Sequence, residues 1–520
     1  MKLPTRTSLL LALCLACAAV GSAAGASAAD GVAWLPAAAD ADVDQAFAQA
    51  RAEHKPVLLY WGAKWCPPCN QLKATLFNRQ DFIERSRAFV AVSVDGDLPG
   101  AQKLGSRFKV RGYPTLILLN AEGAEITRLP GEVDAPQTMQ VLQLGMSGGR
   151  PAAAVLADAR AGRPITPNEW RLLAFYSWDT DEAQLVPEAE RAALLASLAA
   201  ACPAQQTETA TRLWLKALAA SDEGQGVKAD AALRERMRKL LANPAAVRAQ
   251  MDVLTNWASE IVRALDAEGA QRAALLTAYD AALRRLEADT TLSRADRMGA
   301  LIARIDLARI DLPKDAKNVK LPAPLVKDVR EQAAHADREI TDGYERQAVI
   351  TAAAYALSQA GLVSESDALL KANLAKSHSP YYLMSSLAEH AKARGDKAEA
   401  LRWYEQAFDT SEGPATRLQW GSSYIGALVE LSPQDAPRIE RAASRLIGEA
   451  ATQPDAFYER SARSLQRAGK KLQAWNETGA HTDVMQRLQA QLAPVCAKLP
   501  ADDARRATCT TLLRGKADPA

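Results

Sequence analysis

The stretch Val57-Leu58-Leu59-Tyr60-Trp61-Gly62-Ala63-Lys64-Trp65-Cys66-Pro67-Pro68-Cys69-Asn70-Gln71-Leu72 decides the architecture of the first part of this chain. Its opening five apolar residues suit a short buried strand. Two cysteines separated by two residues then stand where a helix begins. At that spacing the sulfurs lie within bonding reach. The first cysteine lies beside free backbone N–H groups and the positive end of the helix dipole, which stabilise a thiolate. A thiolate is the species that attacks a disulfide. Cys66 is therefore the expected nucleophile, and Cys69, further inside the helix, the residue that resolves the mixed disulfide. Pro67 suits the first helical turn, where its missing N–H has no helical partner, and Pro68 removes a second donor. Lys64 has two readings, a charge that favours the thiolate or a solvated side chain.

Outward from this motif, helix and strand alternate. Residues 43–53 have helical spacing, and 66–76 read as a helix with Leu72 and Leu76 or Phe77 on one face. Residues 89–94 form a second strand, closed by Asp95-Gly96-Asp97, and 101–108 a further helix. Residues 115–119 and 125–129 read as a hairpin around Asn120-Ala121-Glu122-Gly123, and 135–144 as a closing helix before a linker at 147–151. Gly112-Tyr113-Pro114-Thr115 enters a core strand through a proline, which points to a constrained, cis bond.

Two motifs carry a resemblance: Trp65-Cys66-Pro67-Pro68-Cys69 after the apolar strand, and Val110-Arg111-Gly112-Tyr113-Pro114-Thr115 before the next one. Together they resemble the thioredoxin superfamily over residues 40–147. The resemblance implies an α/β thioredoxin fold and a thiol–disulfide oxidoreductase in which Cys66 and Cys69 are catalytic. It makes Pro114 the cis-proline beside the disulfide, puts Tyr113 and Trp65 against the substrate chain, and makes Gly131 the glycine after the last strand. No cofactor beyond the Cys66–Cys69 disulfide and no metal is expected. Two departures stand out. Many thioredoxins carry a buried aspartate six residues before the first cysteine, where this chain has Tyr60. The Pro-Pro insert also leaves no histidine to stabilise the thiolate. Fewer stabilisers imply a less oxidising couple, hence reductase or exchange activity. Likeness to exported thioredoxin-like reductases of Gram-negative bacteria implies protein thiols and disulfides as partners and a membrane-bound electron donor.

The whole chain has 520 residues, room for two to four domains. Its 63 basic and 61 acidic residues nearly balance without a basic block, so nothing argues for nucleic acid or an anionic membrane. Lys2 and Arg6, the apolar run 9–20 and the small residues up to Ala29 have the layout of a secretory signal peptide over residues 1–29. The apolar run is short of the roughly 20 residues a membrane span needs, so a soluble periplasmic protein is expected. Beyond that segment five cysteines stand, an odd number that leaves one thiol free or paired outside the chain. Cys496 and Cys509 read either as a second redox pair or as a staple between terminal helices. Cys202 reads as a partner for either, or as a buried free thiol. A structural zinc site needs four ligands, usually including a second close cysteine pair, and these three are not closely spaced.

After residue 151 strand-like alternation disappears and helical periodicity takes over. Breakers at 221–226 and 313–324 separate the blocks, giving expected all-α regions at 152–312 and 325–520. Leu254, Trp257, Ile261 and Leu265 fall on one helical stripe. Gly361 and Gly395 stand 34 residues apart, the tetratricopeptide period. Leu387, Gly395, Leu401, Tyr404 and Ala407 resemble one such repeat, while the preceding copy slips by two residues. Ala-rich hairpins with chance spacing are the alternative. The helical region is expected to bind protein. A second function follows from it: an interaction scaffold or chaperone carrying an accessory thioredoxin domain.

Overall fold

All six residues of strand β2 (Val57–Gly62) are buried, because both faces of the sheet around them are covered. Such a strand reads as a continuous apolar run rather than an alternating one. The computed structural model of the chain describes residues 31–514 apart from 130, 132–133, 182–183, 222–225, 314–315 and 317–318. The expected signal segment and most of the 221–226 breaker lie outside the described residues. Around β2 the sheet has the order β1-β3-β2-β4-β5, with β1 (Leu35–Pro36), β3 (Val90–Asp95), β4 (Thr115–Leu119) and β5 (Glu125–Leu129). Strands β1 and β2 run parallel to β3, whereas β4 runs antiparallel to both β2 and β5. The helices are α1 (Asp40–Glu53), α2 (Pro67–Leu72), α3 (Gln80–Ser86), α4 (Ala101–Arg107) and α5 (Ala135–Met146). This is the thioredoxin fold that the motifs implied.

Alternation along the strands assigns the two faces. Leu58, Tyr60, Leu116 and Leu118 point to one side, where they meet Leu72 and Leu76 and, from α5, Val141 and Leu142. Leu59, Trp61, Val92 and Ile117 point to the other, against Val43 and Phe47 of α1 and Leu104 of α4. The helix expected over 66–76 starts one residue later, ends as α-helix at Leu72 and continues as a π-helical turn, Lys73–Phe77. Strand β1 and helix α3 had no counterpart in the sequence analysis, since two and seven residues are too few to establish a period.

From Ala152 to Thr511 every regular element among the described residues is helical. Successive helices form hairpins, including Gly343–Gln359 with Val363–Asn373 and Pro380–Arg394 with Lys397–Thr410. Gly361 and Gly395 turn these two hairpins with φ of 80° and 82°, the left-handed region open to glycine. The stripe through Leu254 and Leu265 does not lie on one helix. Trp257, at φ −128°, separates Met251–Asn256 from Ala258–Ala264, although Leu254, Ile261 and Leu265 still share one core. Helix Arg294–Ala308 serves two cores. Ala300, Ala303 and Leu307 pack backwards on the helices around Leu254, and Met298, Leu301 and Ile305 pack forwards on Leu325 and Val349. Apolar packing therefore runs across residues 313–324. Among the described residues no helix is long and apolar enough to cross a membrane.

Cys496 and Cys509 are joined in a disulfide within the C-terminal core. As a staple it closes a loop of a size worth about 3 kcal/mol. Cys202 is buried and free.

One carboxyl in the helical region makes stability pH-dependent. Burial pushes Asp306 up to about 6 from an ordinary 3.8, against the opposing pull of Arg309 and with Glu260 adding to the rise. Between those values the folded chain holds a proton that the unfolded chain has released, so stability falls as pH rises through this window. Asp306→Asn is expected to stabilise the protein at pH 7 by about 1–2 kcal/mol, a figure reduced for partial exposure, and to make no difference below pH 4. Urea unfolding of both proteins at the two pH values checks this.

Candidate active site

The apolar strand β2 ends at Gly62, and four residues later the chain enters α2 with Cys66 as its N-cap. Cys66 and Cys69 form a disulfide with their Cα atoms 5.2 Å apart. The Cys69 backbone N–H donates to Cys66 Sγ at 3.2 Å, so the first sulfur accepts one of the free donors of the helix start. Pro67 and Pro68 occupy the first two helical positions, where the prolines remove donors that have no helical acceptor. Asn70, fully buried, ties the turn together by donating to the carbonyls of Lys64 and Cys66 at 2.9 and 2.8 Å.

The Tyr113–Pro114 bond is cis, as the sequence indicated. Tyr113 packs with Trp65 against Ala63, Cys66 and Cys69. Gly131 lies where a Cβ would come within 2.5 Å of Pro114 Cγ, which requires glycine after the last strand.

Tyr60 does not substitute for a buried carboxylate. Burial, helped by Asp95 and Tyr344, pushes its phenol far above the usual value, and its hydroxyl has no hydrogen-bond partner among the described residues. It therefore cannot accept a thiol proton near neutral pH. Two titratable groups that the sequence analysis did not single out lie close by. Asp95, in register with Gly62 across the sheet, is raised chiefly by burial. Lys73, one turn beyond Cys69, is lowered chiefly by burial. Lys73 Nζ also lies 5.2 Å from the centre of the Tyr344 ring. Lys64, by contrast, forms an exposed ion pair with Glu412 at 2.8 Å.

The helical region covers this site. Cys66 is 2% exposed and Cys69 is fully buried. Trp65, expected to meet a substrate chain, stacks instead on Tyr382 at 5.8 Å and meets Trp420 edge-on at 5.5 Å. Its indole Nε1 donates to Asp97 Oδ2 at 3.2 Å. Asp97 is the centre of the attachment. Its carboxylate also accepts from the Thr416 backbone N–H at 2.8 Å, from the Thr416 hydroxyl at 2.7 Å and from Arg460 Nη2 at 2.5 Å. The Arg460 guanidinium lies 5.2 Å from the Trp65 ring and 5.3 Å from Tyr113. Gln102 of α4 completes the contact. It donates to the Tyr113 hydroxyl at 2.9 Å, accepts from the Arg460 backbone N–H at 2.9 Å, and its own N–H donates to Asp455 at 2.9 Å. Gly413 allows this approach. It has φ of 88°, and a Cβ there would stand 2.5 Å from Asp97 Cβ. Nothing in the spacing of Asp97, Thr416 and Arg460 announces that they meet.

A family model described as a thioredoxin-like domain matches residues 43–145. Thiol:disulfide interchange protein DsbD 2 of Pseudomonas aeruginosa is 34% identical over 107 residues, 20% of this chain and 18% of that protein. Thiol:disulfide interchange protein DsbD of Klebsiella pneumoniae is 34% identical over 99 residues, 18% and 16% of the two chains. A solved thioredoxin from Thermus thermophilus is 30% identical, covering 21% of this chain and 83% of the other, with a TM-score of 0.19. The chain thus spans less than a fifth of the length of these curated relatives. The family match covers β2 to β5, the Cys66–Cys69 turn and the cis-proline, and residues 43–145 of this chain are a thioredoxin-like domain.

Proposed function

We propose that the protein is a thiol–disulfide oxidoreductase of the periplasm, working as a reductase or exchange catalyst through Cys66 and Cys69. The observation that carries this reading is the position of Cys66 Sγ at a helix N-terminus, accepting the Cys69 N–H with Cys69 in bonding reach. In the reduced protein the Cys66 thiolate attacks one sulfur of a substrate disulfide. A Cys66–substrate disulfide forms and a substrate thiolate leaves. The Cys69 thiolate then attacks Cys66 Sγ, re-forming the Cys66–Cys69 disulfide and releasing the second substrate thiolate. Two electrons pass from the protein dithiol to the substrate, whose thiolates take up protons from solvent. An external dithiol returns the protein to its reduced form by the same exchange in reverse. A membrane-bound donor would fill that role in the cell. Trp65 and Tyr113 pack against the cysteines, and with Pro114 they would meet the substrate chain once the helical cover opens. The helical hairpins, tetratricopeptide-like in their spacing, would select the partner.

The purified full chain, supplied with dithiothreitol, is expected to accelerate insulin reduction and to equilibrate with a reducing dithiol couple. Aggregation of the insulin B chain and a redox titration of Cys66/Cys69 measure both. A potential near that of strong oxidants, about −120 mV, would overturn the reductase direction.

A further inference from the structure

A groove of about 840 Å³ runs along the helices Gly343–Gln359 and Pro380–Arg394 and ends on Pro67 and Pro68, the two residues between the cysteines. Its size is that of ligand-binding clefts, about 300–1,000 Å³. Alanines such as Ala352 and Ala393 keep its walls low, and Ser358 and Ser386 offer hydroxyls along them. A glutamate and a histidine stand at its edge, each with a hydrogen-bond partner. Glu389 accepts from the Tyr404 hydroxyl, and His390 pairs with Asp367 at 2.7 Å. Among the described residues lining it there is no lysine or arginine to recruit a phosphate, a nucleotide or an acidic segment. Small walls carrying hydroxyl and amide groups such as Ser358, Ser386, Gln359 and Gln419 suit a polypeptide backbone, whose N–H and C=O groups need partners when buried. Two aromatic side chains of the groove, Tyr382 and Trp420, are also the rings that hold Trp65 over Cys66.

We infer that this groove binds an extended, largely uncharged polypeptide segment that brings a disulfide to Cys66. Tyr382 and Trp420 couple occupancy of the groove to exposure of the sulfur. This assignment rests on the oxidoreductase reading and adds to it the place where the partner is held. The segment enters along Ala393 and Ser386 and leaves past Pro67, so recognition by the helical region and exchange at the cysteines occur on one bound chain. The helical region that covers the disulfide thereby also uncovers it for a bound chain, whereas small thiols and disulfides make few of the contacts that move Tyr382 and Trp420 and react more slowly.

The test fills the groove in the full chain with Ser386→Trp and, separately, with Ala393→Trp, the second at an exposed position that spares folding. Insulin and oxidised glutathione serve as the peptide and small disulfides, with thermal unfolding as the fold control. Both variants are expected to lose about tenfold in kcat/KM for insulin, mainly through KM, and to keep the wild-type rate with glutathione. Added carbamidomethylated insulin B chain, which has no disulfide, is expected to speed the reaction of wild-type Cys66 with glutathione. Equal insulin rates in wild type and both variants would overturn the groove assignment while leaving the oxidoreductase reading intact. A wild-type chain that exchanges with neither substrate would overturn both.

Discussion

Cys66→Ser is expected to lower insulin reduction by the full chain more than about a thousandfold, because a serine hydroxyl neither ionises near neutral pH nor forms a disulfide. Cys69→Ala has a different signature. The first attack still occurs, but nothing resolves it, so the substrate stays on Cys66 as a mixed disulfide seen by mass and released by dithiothreitol. The pair of variants separates the two roles more sharply than loss of turnover alone. Cys66 accepts the N–H at the helix start, whereas Cys69 is fully enclosed and bonded to Cys66. Insulin reduction that persisted in Cys66→Ser would sink the proposed mechanism. A cellular phenotype that survives Cys66→Ser would move the main work of the protein to the helical region, as the scaffold reading requires.

The second large effect is expected at Asp97. This carboxylate joins Trp65, Thr416 and Arg460, and with its partner Arg460 it is almost excluded from solvent, the side chains being 10% and 12% exposed. Asp97→Ala leaves a buried guanidinium without its counter-charge and two N–H donors without an acceptor. Breaking a buried pair in this way costs about 3–5 kcal/mol. Denaturant unfolding should show a loss of that order. Reduction of the Cys66–Cys69 disulfide by dithiothreitol should also become faster, because Trp65 loses its tether and the cover loosens. Asp97→Asn keeps acceptor capacity without the charge and is expected to give a smaller loss. An Asp97→Ala protein with wild-type stability and reduction rate would show that the contact does not hold the helical region over the site.

The difference between these two sites explains how much the sequence alone discloses. The Cys66–Cys69 pair and the cis Tyr113–Pro114 bond were legible because they depend on local geometry: a strand before, a helix start, a proline at the next strand. The same holds for Leu58–Leu59 and Leu116–Ile117, whose alternate faces follow from a period of two. Tyr60 was visible as a departure, but its unpartnered hydroxyl and the desolvated Asp95 and Lys73 nearby depend on burial, which spacing does not give. The Leu254–Leu265 stripe was legible as apolar positions and misleading as one helix, since periodicity records which residues face a core and not whether the backbone bends between them.

By itself, then, the sequence determined a thioredoxin fold with a dithiol at the head of α2, followed by a long helical region, because strand alternation, helix capping and the Cys-x-x-Cys spacing are short-range constraints. Only the tertiary structure decided that this helical region closes over the dithiol. Trp65 meets Tyr382 and Trp420, and Asp97 meets Thr416 and Arg460, across more than three hundred residues of chain. Such contacts arise from how whole helices pack, and no local period in the sequence encodes them.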